Sequence, residues 1–297
     1  ELGLTLYPRD FIVSLPKPAD HFGLEDVFPS DPDADHGFHV VIVPQDEADD
    51  LREMTEEDRP SLVAPESLKE AIRDYLISGA IRRVRGEEND HHTMMIHTKH
   101  TINSMSPLRR RVNAIVQDFE VNLPLTSSRM GIHLLDQIKS RWESEFQSNG
   151  CQEEWGDVRT QLLVWLSQNA PEVYEINMDS PDRLDFDGYE GTGLKAIAVG
   201  GNRLSRGLTL EGLCTSLFVR PTTTHDTLMQ MSRWFGFRKD HSDLIRVYVT
   251  SEINDRFSGM VEVERELRDD LERYEQQHEI TPHDFGVRVL QQRGMHP

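Results

Sequence analysis

The order of apolar runs along the chain predicts an α/β fold, a mostly parallel sheet with helices on both faces. Three observations predict it. Short runs rich in β-branched and apolar residues recur near 38–43, 93–98, 173–176, 194–199, 215–219 and 245–249. Stretches with apolar residues at helical spacing stand between several of them, and alternating strand and helix signals imply parallel pairing. A glycine pair, Gly200 and Gly201, follows directly on one apolar run, where an open α/β sheet carries its ligand-facing loops.

Over residues 1–60 the prolines Pro8, Pro16, Pro18, Pro29 and Pro32 interrupt any period, so this stretch reads as an irregular connector arm with one strand, FHVVIV. The main domain is expected over 61–251. Pro65 opens a helix with Leu68, Ile72, Tyr75 and Leu76 on one face, ending near Arg83. After the TMMIHT strand, Ser106 reads as an N-cap and Pro107 as the first helical residue, with Leu108, Val112, Ile115, Val116 and Phe119 in register. Two further amphipathic stretches, one with Leu135, Ile138, Trp142 and Phe146, the other with Val158, Leu162, Trp165 and Leu166, read as a helical insertion over 125–170. Three more strands follow, then a helix over 224–235 and a last strand. Residues 252–297 read as a truncated C-terminal segment, a charged helix striped by Met260, Val263, Leu267, Leu271 and Tyr274, then a turn at Thr281-Pro282. There is no internal repeat and no low-complexity tract.

Hydrophobic residues make up 37% of the 297, enough for a sizeable core. No apolar run approaches the ~20 residues that cross a bilayer, and no charged-then-apolar leader is present. A soluble, cytoplasmic protein is expected and, since the chain starts at Glu1, a piece of a longer one. Cys151 and Cys214 stand far apart with no C-x-x-C pair, which argues against a disulfide framework and a zinc site. The net charge of −20, from 32 Lys and Arg against 52 Asp and Glu, repels a polyanion at long range and excludes a general nucleic-acid coat protein. Any DNA contact must be local, and basic residues do gather at 82–85, 109–111 and 203–206.

The densest chemistry lies in VGGNRLSRGLTLEGL at 199–213. Gly200, Gly201 and Gly207 permit tight turns and close approach to phosphate, while Arg203 and Arg206 supply planar donors and Thr209 a hydroxyl. A second segment, DTLMQMSRWFGFR at 226–238, would place Gln230 and Arg233 on one face of a helix. Gly236 then ends that helix and leaves Arg238 on the following loop. Singly, each arginine could equally form a surface salt bridge. For DNA, the strand end His97-Thr98-Lys99 offers imidazole, hydroxyl and ammonium donors suited to backbone contact. Arg109 and Arg110, with Arg111, would oppose the dipole of a helix's first turn, and a nearby phosphate is one reason for them to be there.

Together the two segments resemble motifs V and VI of the C-terminal RecA-like domain of superfamily-two helicases, Arg206-Gly207-Leu208-Thr209 matching the first and Gln230-x-x-Arg233-x-x-Gly236-x-Arg238 the arginine-finger motif. The match departs from the common pattern: the arginines are five apart, Thr209 replaces an acidic residue and Ser232 a glycine, so the finger is Arg233, Arg238 or both. With LYPRDFIVSLPKPADHFGLEDVF and TPHDFGVRVLQQRGMHP added, nearly the whole chain is similar to the Z-one domain, the C-terminal half of DEAD-type helicase-like proteins in bacterial defence. The resemblance implies a RecA-like fold and DNA-dependent ATPase work as the motor subunit of a restriction endonuclease, with a phospholipase-D-type nuclease subunit as partner. The chain has neither a G-x-x-x-x-G-K-[ST] loop nor a DEAD-like acidic motif. ATP and Mg²⁺ would therefore be held mainly by an N-terminal RecA-like DEAD domain of the same protein, and this part alone would be inactive.

Two rival readings stand beside this one. His97-Thr98-Lys99 spells the H-x-K of phospholipase-D-type nucleases, but Ser104 occupies the position where that pattern has Asp, and no second copy follows. His91 and His92 lack other ligands at metal spacing. The non-enzyme reading is an interaction scaffold that holds a nuclease subunit through the arm or the terminal helix.

Overall fold

A computed structural model describes residues 13, 15–28, 37–54, 64–98, 105–177, 182–201, 204, 209–222, 228–230, 232, 235–238 and 240–275. In chain order the elements are β1 (His21–Phe22), α1 (Leu24–Val27), β2 (Val40–Ile42), α2 (Gln45–Glu53), α3 (Glu66–Val84), β3 (His92–His97), α4 (Met105–Asn122), α5 (Arg129–Trp142), α6 (Trp155–Asn169), β4 (Glu172–Ile176), β5 (Lys195–Gly200), β6 (Leu213–Phe218), β7 (Gly236–Phe237), β8 (Arg246–Val249) and α7 (Ser251–Glu275). Six strands form one sheet in the order β2-β8-β6-β3-β5-β4. Every neighbouring pair in it is parallel, with Met94 of β3 opposite both Ile197 and Thr215.

Successive strand residues feed two separate cores, because a strand's side chains alternate between faces. Met94, Ile96, Ile197, Val199, Leu217 and Tyr248 join α2 to α6 in one core. Met95, Ala198, Phe218, Val247 and Val249 join α1 and the first half of α7 in the other. Both faces are thus covered, which is why the strands read as continuous apolar runs. The fold is α/β and RecA-like, as expected. No helix among the described residues is long and apolar enough to cross a membrane.

Several local expectations change. The stretch read as a connector contains β1, α1, β2 and α2, and Val27, Phe28 and Leu51 are fully buried. Glu47 on α2 also accepts the Ser67 amide at 2.8 Å, so α2 caps α3. The helices read as an insertion supply Leu135, Ile138, Trp142, Phe146, Val158, Leu162, Trp165 and Leu166 to the core beneath α3. Buried between sheet and helices, α3 is apolar on more than the one face its spacing suggested. Ser106 is not an N-cap: α4 already begins at Met105, and the Ser106 hydroxyl donates to Glu175 at 2.8 Å. Arg109 to Arg111 therefore lie past the first turn. The stripe of α7 is buried at Ile253, Phe257, Met260 and Val261 but only half-buried at Val263, Leu267 and Leu271. The turn at 281–282 lies outside the described residues.

Candidate functional site at the amino edge of the sheet

Because all six strands are parallel, the expected site residues divide between two edges. At the carboxyl edge stand His97, Thr98, Gly200 and Gly201. His97 is completely buried beside Phe218, whose ring lies edge-on at 5.5 Å, and its Nε2 is 3.3 Å from Arg220 Nη1. Burial, and then the Arg220 charge, push its pKa down to about 3, so the ring is neutral and accepts from Arg220. Thr98 is buried too, and Lys99 lies outside the described residues. Among the described residues here, the half-buried Arg220, which the sequence reading did not single out, reaches solvent. Its signal was an arginine directly after a strand. Gly200 is needed by the fold, since a Cβ there would meet the Ile176 carbonyl of the adjoining strand and the Leu204 side chain.

Arg109 Nε donates to the Val173 carbonyl at 3.2 Å and its Nη2 lies 3.6 Å from Asp182. The guanidinium thus ties α4 to β4, a structural reason for its presence. Arg110 is exposed and Arg111 buried.

The loop after β5 leaves the carboxyl edge and enters β6 at the amino edge. On its way Leu204 and Leu210 bury into the second core. Arg203, Arg206 and Gly207 fall outside the described residues. Thr209 emerges at the amino edge and lines a cleft of about 690 Å³ together with Arg82, His91, Phe237, Arg238 and His241. Gly212, at φ 64°, ends the loop, and a Cβ there would collide with the His91 carbonyl.

The helix expected over 224–235 is shorter: residues 228–230 are helical, whereas Ser232 and Phe235 are not. Ser232 instead turns its hydroxyl back onto the Leu228 carbonyl at 2.7 Å. Gly236 is not a helix cap but the first residue of β7, which pairs antiparallel with β1 through His21 opposite Phe237 and Phe22 opposite Gly236. The arm therefore grips the segment that carries Arg238, and a smaller cleft of about 380 Å³, lined by Asp20, His21 and Asp26, is also lined by that arginine. Gln230 is exposed, and Arg233 lies outside the described residues.

Charge at this edge is mixed: Arg82 and Arg238 line the cleft together with Asp90, Glu190 and Glu211. Arg82 is committed, with Nε on Glu87 at 2.6 Å and Nη1 on the His91 carbonyl at 2.7 Å. Arg238 is not: Nη1 donates to the Phe237 carbonyl at 3.1 Å, Nε is buried without a partner, and among the described residues no carboxylate pairs with it. Burial, with a smaller contribution from Arg82, holds its pKa below the usual arginine value. His241 is pushed to about 3 by burial and then by Arg82 and Arg238. Lys195, at the start of β5, falls to about 8 through burial and then Arg82 and Arg83.

His91 and His92 have structural duties. His91 Nδ1 accepts the Leu194 amide at 2.9 Å, while His92 stacks on Tyr75 at 4.5 Å and bonds its carbonyl. Among the described residues no cluster of three or more His, Cys, Asp or Glu is placed to hold a metal.

A wholly parallel sheet buried on both faces, with a loop running from one edge to an arginine-bearing cleft at the other, defines a RecA-like α/β domain. The family model of the Z1 domain matches residues 67–295, and the chain belongs to that family. The arm, including residues 6–28, lies outside the matched range. No curated protein and no solved structure matches the chain.

Proposed function

We propose that this chain is the second RecA-like half of a DNA-dependent, helicase-like ATPase motor that serves a restriction nuclease complex in antiviral defence. The carrying observation is Arg238, a largely buried residue without a carboxylate partner among the described residues, beside an open cleft. A triphosphate held mainly by a preceding DEAD-type half, together with Mg²⁺, would bring Arg238 an anionic partner when the halves close. Arg238 would then stabilise charge that builds on the γ-phosphate, a contribution worth roughly 10³ to 10⁵ in rate in related NTPases. Arg233 would sense the same phosphate. The loop from Gly200 to Thr209 would link DNA held at the carboxyl edge, with Arg220 a candidate backbone contact, to that site. A phospholipase-D-type subunit would cut the DNA.

The reading is tested by ATP turnover of the complete two-half protein with and without duplex DNA. DNA-stimulated hydrolysis that collapses in Arg238→Ala supports it. Hydrolysis absent from the complete wild-type protein would leave the interaction scaffold as the better account.

A further inference from the structure

The two edge strands of the sheet differ in length and in what stands beside them. β2 spans three residues, Val40–Ile42, and β4 five, Glu172–Ile176. An edge strand presents backbone donors and acceptors that no neighbouring strand satisfies, a template for pairing with another chain, and a very short edge limits that pairing by its length. β4 lacks that protection. Its residues Val173, Glu175 and Ile176 are buried, so the strand is firmly seated on the sheet.

On its inner side β4 pairs with β5, Glu172 to Ile176 standing opposite Ala196 to Gly200. Backbone groups point alternately to the two sides of a strand, so groups two residues apart share a side. Two such groups on the outer side are taken by side chains. The Val173 carbonyl accepts from Arg109 Nε at 3.2 Å, and the Glu175 amide donates to Asp182 Oδ2 at 2.9 Å. That same Asp182 oxygen lies 3.6 Å from Arg109 Nη2. Carbonyl, guanidinium, carboxylate and amide thus run in sequence along the edge, a donor and an acceptor standing where an adjoining strand would set its own N–H and C=O. Arg109 comes from α4 and Asp182 from the segment after β4, so no single local turn accounts for the arrangement. With the two side chains 45% and 22% exposed, the ion pair by itself contributes only about 0–1 kcal/mol. What distinguishes it is the pair of backbone groups that it occupies.

We propose that Arg109 and Asp182 form a clasp over the outer edge of β4, and that its work is to keep this edge from pairing with the β4 edge of a second copy of the chain. Identical edges can pair antiparallel about a two-fold axis, which would join the two sheets into one. This inference is independent of the motor reading.

Analytical ultracentrifugation and amide exchange over a range of protein concentration compare wild type, R109A/D182A, D182A and D182N, with a melting curve for each. Wild type is expected to stay a single chain, with exchange of the Glu175 amide independent of concentration. R109A/D182A should associate toward twice the single-chain mass, and its Glu175 amide, fast to exchange in dilute solution, should slow as the protein is concentrated. D182A loses one backbone contact only and decides the matter should the double variant not melt cooperatively. D182N keeps an oxygen for the Glu175 amide and should stay a single chain. Cooperatively melting alanine variants that remain single chains across the range overturn the proposal. Association that leaves Glu175 exchange unchanged does so too, as does a wild type that pairs through this edge as readily as the variants.

Discussion

Replacing Arg238 by methionine should move function and stability in opposite directions. Methionine keeps an unbranched stem beside the two clefts that Arg238 lines, and removes the guanidinium. The lost Nη1 bond to the Phe237 carbonyl is worth about 1 kcal/mol, whereas the unpaired buried Nε costs about 1–3 kcal/mol in the wild type. The net change is between zero and about 2 kcal/mol in favour of the variant, and in a chain of this size that raises Tm by up to about 3 °C. ATP turnover in the complete protein should fall by at least about 10², with nucleotide affinity within a few fold, because the interaction is made in the transition state. Calorimetric melting, steady-state turnover and nucleotide titration read the three quantities. A buried ion pair would show the reverse, a loss of about 3–5 kcal/mol on truncation. A Tm drop of that size refutes the partnerless reading of Arg238, and wild-type turnover in Arg238→Met or in Arg233→Ala removes that arginine from catalysis.

Residues 1–297 alone should show no appreciable ATPase activity, for want of a phosphate loop and an acidic metal-binding motif; robust DNA-stimulated turnover by this chain would refute the half-motor reading. Arg206→Ala in the complete protein should leave basal hydrolysis in place and lower its stimulation by DNA, an unchanged stimulation ratio in a well-folded variant counting against the loop as a relay. Asp74→Ala should cost about 3–5 kcal/mol in urea unfolding, because Asp74 is fully buried, holds Arg141 through two bonds of 2.8 and 2.9 Å and accepts the Tyr248 hydroxyl. A shift below about 1 kcal/mol would show that this network is dispensable. Burial first of all depresses His39 to about 4 and His97 and His241 to about 3, so their stabilising effect is complete above pH 6.5 and is lost as pH falls toward those values. Each group contributes up to about 1.4 kcal/mol per pH unit, and a urea midpoint that stays flat between pH 7 and 5 would contradict the burial of these rings.

All six strands of the main sheet carried signals in the sequence, each placed within a residue or two of its observed bounds. Burial on both faces makes such strands unbroken apolar runs, and that signal is local. The ribbon of β1 and β7 left no such trace. Two residues have no period, and the pairing of His21 with Phe237 exists only because the domain brings the arm to that segment. Ser106 was misread for a related reason: a serine before a proline looks like a cap, yet here it turns toward Glu175, whose position depends on the sheet. The helix expected over 224–235 failed at Ser232, whose hydroxyl found a backbone carbonyl that spacing alone does not reveal. The candidate site was half legible. Thr209 and Arg238 were named from their motifs, while Arg82 had been noted only as part of a basic cluster and His241 had no signal at all.

By itself the sequence determined the α/β class, the family and the segments in which chemistry is concentrated, because hydrophobic period, glycine placement and motif spacing are properties of short stretches. Tertiary structure decided the rest. It set the strand order, which separates Gly200 and His97 at one edge from Thr209 and Arg238 at the other. It placed the arm against Arg238 and gathered Arg82, Arg85 and His241 around one cleft. Above all it decided which cations are satisfied, since desolvation and the supply of partners come from the surrounding matrix and not from a residue's neighbours in the chain. Arg82 and Arg238 are both arginines in basic or motif-like stretches, yet one is locked to Glu87 and the other is left with a buried, unpaired Nε.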